Sequence, residues 1–126
     1  MKRFKVLFVA LTVLTLPLFA QDKKMMGKER EVTLNGEVVD VSCYVEKGAK
    51  GESHKECAIT CAKNGWPLGI LTKDGKLYVA MTAMGYDCIP NKVLMEHIGH
   101  QVEVTGYTHS KGGVNGISIA NIAMAK

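Results

Sequence analysis

Beyond its first 20 residues this chain of 126 contains no phenylalanine, because Phe4, Phe8 and Phe19 all fall before that point. The remaining residues offer only Tyr44, Trp66, Tyr78, Tyr86 and Tyr107 as aromatics, a thin set for a base-stacking surface. Excess charge is scarce as well. The net charge of +4 comes from 16 basic and 12 acidic residues, and Lys2, Arg3 and Lys5 supply three of the basic ones. The remainder is close to neutral, so the pI near 8.9 is no nucleic-acid footprint. Cys-x-x-Cys does not occur, which excludes a thioredoxin-like redox motif and a c-type haem attachment site. There is no Ser–His–Asp pattern, phosphate loop or metalloprotease motif, and Asp40 and Asp87 have no partner carboxylate nearby in sequence. A binding role is therefore expected ahead of an enzymatic one. The length is too small for two ordinary domains.

The largest apolar run, Val6 to Leu16, follows a basic start and precedes Pro17 and Ala20. It is shorter than the ~20 residues of a membrane span. Residues 1–20 read as a secretory signal peptide, cut after Ala20. The expected product is an exported bacterial protein, periplasmic or secreted, with no membrane span after cleavage. Residues 21–30 (QDKKMMGKER) are polar and without period, a flexible leader. Residues 31–126 are expected to form one domain.

Within that domain, Val32 to Tyr44 reads as one long strand. Its apolar parity switches at Val38–Val39, just after Gly36, which suggests a bent strand serving two faces. Ser53-His54-Lys55-Glu56 has the form of a capping box. It predicts a helix to about Asn64, stopped by Gly65. Leu68 to Leu71 and Leu77 to Thr82 flank Lys73-Asp74-Gly75 as a hairpin. Asn91 is placed to cap a helix over 92–98. Gln101 to Thr108 alternates, Ser110 to Gly113 turns the chain, and Val114 to Met124 closes it. The expected class is mainly β with two short helices. Setting the first helix aside as an insertion between strands 1 and 2, the order β-β-β-α-β-β is that of an OB-fold-like five-stranded barrel.

In such a barrel the ends of strands 1 and 3 and the start of strand 4 meet. That end would gather Cys43, the inserted helix, Cys88, His97 and His100, with His109 at the other end. Met81, Met84, Met95 and Met124 are expected as core filler.

Cysteine carries the chemistry. The four cysteines are spaced Cys-x13-Cys-x3-Cys-x26-Cys. Cys57 and Cys61 stand four apart on the predicted helix and share a face with His54. Helical neighbours have Cβ atoms about 5–6 Å apart, whereas a disulfide wants about 3.8 Å. The pair should therefore look outward, and three arrangements are open. Cys43, His54, Cys57 and Cys61 make a soft metal site, with copper or zinc as the ion held or delivered. Alternatively, Cys43, Cys57, Cys61 and Cys88 form two disulfides in an unassigned pairing, as an even count in a small exported domain favours. Such a stapled OB domain would bind a peptide, a glycan or an exported partner protein. Thirdly, Cys57 acts as a redox thiol, helped by His54 and the helix start.

The Cys57-x3-Cys61 pair resembles the copper-binding pairs of exported copper-delivery proteins and of the cytochrome oxidase copper centre. The likeness is confined to those five residues. The segments Gly36–Tyr44 (GEVVDVSCY), Gly48–Cys57 (GAKGESHKEC) and Cys61–Gly69 resemble a family of small uncharacterised exported bacterial proteins. That resemblance implies no activity. The ending, Val102–Gly106 to Ile117-Ser-Ile, resembles exported bacterial OB-fold domains and implies the fold alone.

Overall fold

The computed structural model describes residues 31–126 other than Tyr86. The expected signal peptide and leader, with Met25 and Met26, lie outside the described residues. The chain runs through β1 (Glu31–Asp40), α1 (Val41–Lys47), a 3-10 turn (Glu52–His54), α2 (Lys55–Lys63), β2 (Leu68–Thr72) and β3 (Leu77–Ala83). It continues through α3 (Pro90–Leu94), a second 3-10 turn (Met95–His97), β4 (Gln101–Lys111) and β5 (Val114–Met124). No helix among the described residues is long and apolar enough to cross a membrane.

The five strands close into a barrel in the order β1-β2-β3-β5-β4. β1 pairs antiparallel with β4 from Glu31 to Glu37 and with β2 from Gly36 to Asp40, so one strand serves two neighbours in succession. β3 and β5 run parallel and seal the wall. This is the OB-fold-like arrangement the element order predicts. The switch of parity in β1 has the expected cause. Val38 joins the barrel core with Leu68, Ile70, Val102, Val104, Ile117 and Ile119, while Val39 is buried outside that cluster. Gly36 sits at the hand-over between the two partners. A Cβ there would lie 2.5 Å from the Leu71 carbonyl oxygen, so only glycine lets β1 and β2 approach.

Three local expectations are corrected. The first strand stops at Asp40 rather than reaching Tyr44, and a third short helix comes after it. The Asp40 carboxylate accepts a hydrogen bond from the Cys43 N–H at 3.0 Å, and Gly48 closes the far end in the left-handed region at φ 67°. A good N-cap and C-terminal glycine outweigh the β preference of Val41 and Val45. Ser53 is no capping residue: Glu52–His54 is a 3-10 turn, and α2 begins with no side-chain cap. Asn91 does not cap α3, which starts at Pro90. Its amide instead donates to Ala62 O at 3.2 Å and Trp66 O at 2.8 Å, tying the end of α2 to α3.

The methionines also depart from expectation. Met81, Met84 and Met124 are exposed, and only Met95 packs against the core. Met81 points outward from β3 over Gly116, Met84 lies just beyond that strand, and Met124 ends β5 beside His97.

Candidate metal centre

The site begins with the chain reversal after β1. Asp40 ends the strand 1% exposed, and its cap bond places Cys43 in the first turn of α1. The Gly48-to-Gly51 loop brings the chain back. The Gly51 N–H donates to the Glu37 carboxylate, which pins the return to β1. His54 then closes the 3-10 turn, and α2 lays Cys57 and Cys61 beside α1. Ala58 and Ala62, both buried, form the face of α2 that joins the barrel core. Their small side chains let the helix lie close to the barrel and turn the cysteine stripe toward α1.

Two overlapping triads result. Ligand-type atoms of Cys43, His54 and Cys57 lie within 4.8 Å of one another, as do those of Asp40, Cys43 and Cys61. Cys43 Sγ belongs to both. The outer triad includes the exposed Cys57; the inner one ends on buried Asp40. Each of Cys43, His54, Cys57 and Cys61 thus falls in one triad or the other, but only Cys43 is common to both and no single group holds all four. Cys88 is not part of either triad. It sits exposed in the loop after β3 with φ 58°, beside Asp87 at φ 54°. All four thiols are free. His97 Nδ1 lies 3.3 Å from Met124 Sδ, and His100 Nε2 lies 2.9 Å from Lys55 Nζ. His109 contacts Ser118 Oγ at 3.0 Å on the β4–β5 hairpin.

Sequence reasoning missed Asp40 as a site residue. The available signal was Asp40 three residues before Cys43, an N-cap spacing, hidden inside an apparent strand.

The electrostatics keep the Cys43 and Cys61 thiols protonated and leave two polar atoms buried. Asp40 Oδ2 and His54 Nε2 are both buried without a conventional hydrogen-bond partner, and such orphans call for an ion or a water. The neighbour of the Asp40 carboxylate is the Cys61 thiol, a weak donor. That hydrogen bond, with desolvation and the charges of Asp40, Cys57 and Cys43, pushes the Cys61 pKa up to about 12. Burial pushes the Cys43 thiol up, aided by Asp40 and Cys57, while a hydrogen bond with Cys61 and the charge of Lys47 oppose the rise. Mutual repulsion among the forming thiolates thus adds to the cost of charging the cluster, and a bound cation removes that cost.

A second surface feature is a groove of about 650 Å³ between α1, the β2–β3 hairpin and the β4–β5 turn. Val41, Val45, Leu77, Val79 and Val114 supply its apolar wall. A further void of about 10 Å³ lies behind His54 and Asp40, about the room of one water.

No family model matches this chain, and no significant match to it is found among curated proteins or solved structures.

Proposed function

We propose that this protein holds or hands on a soft metal ion, copper or zinc, through Cys43, His54, Cys57 and Cys61. The observation that carries the reading is the position of Cys43 Sγ, within 4.8 Å of the ligand atoms of His54, Cys57, Cys61 and Asp40. Thiolate and imidazole suit both ions. A triad of two sulfurs and one nitrogen is matched to Cu(I). Zn(II) would complete a tetrahedron with a fourth donor, which Cys61 or the Asp40 carboxylate can offer after a small movement. The exposure of Cys57 leaves one side open to exchange with a partner, as delivery requires. The expected setting is the bacterial periplasm or the exterior, on the strength of residues 1–20.

The test is a competition titration of the reduced protein with Cu(I) and with Zn(II) against a chromophoric chelator of each. One ion should bind tightly, and the Cys43→Ser/Cys57→Ser double variant should lose it. Equal, weak binding by the two proteins would sink the reading.

The apolar groove favours a second reading, in which the domain binds a peptide, glycan or exported partner beside α1. In OB folds the face of strands 2 and 3 and the flanking loops bind oligonucleotides and oligosaccharides, which supports the glycan among these. Under that reading Val45→Asp and Val114→Asp abolish partner capture while metal uptake is unchanged.

A further inference from the structure

The three clustered sulfurs are unequal. Cys57 is exposed, whereas Cys43 and Cys61 are half-buried. Cys61 faces the Asp40 carboxylate in the inner triad, while Cys43 Sγ lies within 4.8 Å of Cys57 Sγ in the outer one. Cys57 and Cys61 cannot readily bond to each other, because helix geometry at i,i+4 holds their Cβ atoms too far apart. Any disulfide within the cluster must therefore run through Cys43, and Cys43 is the ligand common to both triads. One covalent bond would dismantle both at once.

We propose that Cys57 and Cys43 form a thiol–disulfide exchange couple that empties the metal centre when it closes against an external disulfide. The Cys57 thiolate attacks one sulfur of a disulfide R–S–S–R. The S–S bond breaks, Cys57 carries a mixed disulfide, and one R–S⁻ leaves. The Cys43 thiolate then attacks the Cys57 sulfur and expels the second R–S⁻. Two protein thiols are oxidised to one disulfide and the external disulfide is reduced to two thiols. Cys61 stays a thiol, hydrogen-bonded to Asp40. The outer triad has then lost both its sulfurs and the inner triad one of two. What remains, His54, Asp40 and a single thiol, is no soft-metal set. A dithiol reverses the change.

The exchange itself stands apart from the metal reading; only its effect on metal release rests on it. The experiment uses the reduced, metal-free protein carrying Cys88→Ser, a residue outside both triads. It is incubated with oxidised glutathione, alkylated and mapped by peptide mass spectrometry. Its Cu(I) and Zn(II) capacity is measured before and after. The expected result is the loss of two thiols, a Cys43–Cys57 link, alkylated Cys61, and a metal capacity that disappears and returns with a dithiol. Adding Cys43→Ser should stall the reaction with glutathione on Cys57. A Cys43–Cys61 link, the absence of any internal link, or no glutathione on Cys57 in the stalled variant would overturn the couple. Undiminished metal capacity in the linked protein would overturn the gate. A reduced protein that takes up no metal would defeat the metal reading and the gate with it, and the couple would stand or fall on the disulfide map, which is read without metal.

Discussion

Replacing Asp40 by asparagine separates two jobs that one side chain performs. The amide oxygen of the introduced asparagine can still accept the Cys43 N–H, now 3.0 Å from Asp40 Oδ1, so α1 keeps its cap. The negative charge beside Cys61 is gone. In the native protein the Cys61 pKa is pushed up to about 12 from an ordinary 9.0, with the Asp40 hydrogen bond as the largest cause and Asp40 charge a further one. At pH 9 that leaves roughly one Cys61 in a thousand as thiolate, against about half for an unperturbed thiol. Iodoacetamide reads the thiolate directly. In the reduced, metal-free Asp40→Asn protein, Cys61 alkylation at pH 9 should accelerate on the order of a hundredfold, followed by peptide mass spectrometry, with Cys88 as an internal standard. An unchanged Cys61 rate in a variant with native circular dichroism would refute the carboxylate as the group that holds the proton. The linkage has a definite sign. The folded state keeps the Cys61 proton above the pH at which the unfolded chain releases it. Its contribution to stability is complete below about pH 9 and lost as the pH climbs toward 12. Asp40→Asn should flatten that alkaline decline, which urea unfolding across the range measures.

Three substitutions test the frame around the site. Gly36→Ala pushes a methyl group onto the Leu71 carbonyl, and should lower stability by about 1–3 kcal/mol in urea unfolding. Asn91→Ala leaves Ala62 O and Trp66 O without their side-chain donor. It should cost about 1 kcal/mol, with faster amide exchange confined to the end of α2 and the start of α3. Ile117→Ala opens a cavity where β5 meets the fully buried core, at a cost of about 2–5 kcal/mol in the thermal transition.

Much of the fold was legible because strands and hairpins are local. The alternation of Gln101 to Thr108 became β4, with Val102 and Val104 buried and Gln101 and Glu103 exposed. Asp74-Gly75 turns β2 into β3, with Gly75 at φ 82°. α2 ends as expected, Gly65 N–H meeting Ala62 O and Trp66 N–H meeting Cys61 O. What local pattern missed was competition between signals. Asp40 and Val41 to Val45 offered a cap and a strand in the same stretch, and a strand reading carried Cys43 along the wrong backbone. The capping-box reading of Ser53 to Glu56 failed for the converse reason: its residues are right, but the chain enters α2 through a 3-10 turn tied back to β1.

For the candidate site, sequence alone determined the helix that carries Cys57 and Cys61 on one stripe, since 3.6 residues per turn puts i and i+4 together wherever that helix lies. It also determined the alanines that let that helix lie against the barrel. Tertiary structure decided the rest. It made Cys43 the shared sulfur, buried the Asp40 whose cap spacing was masked by a strand pattern, and left Cys88 in an exposed loop. Those outcomes depend on how β1 hands over from β4 to β2 and how the chain doubles back through Gly51. They are distances between segments far apart in sequence, set by barrel closure rather than by local periodicity.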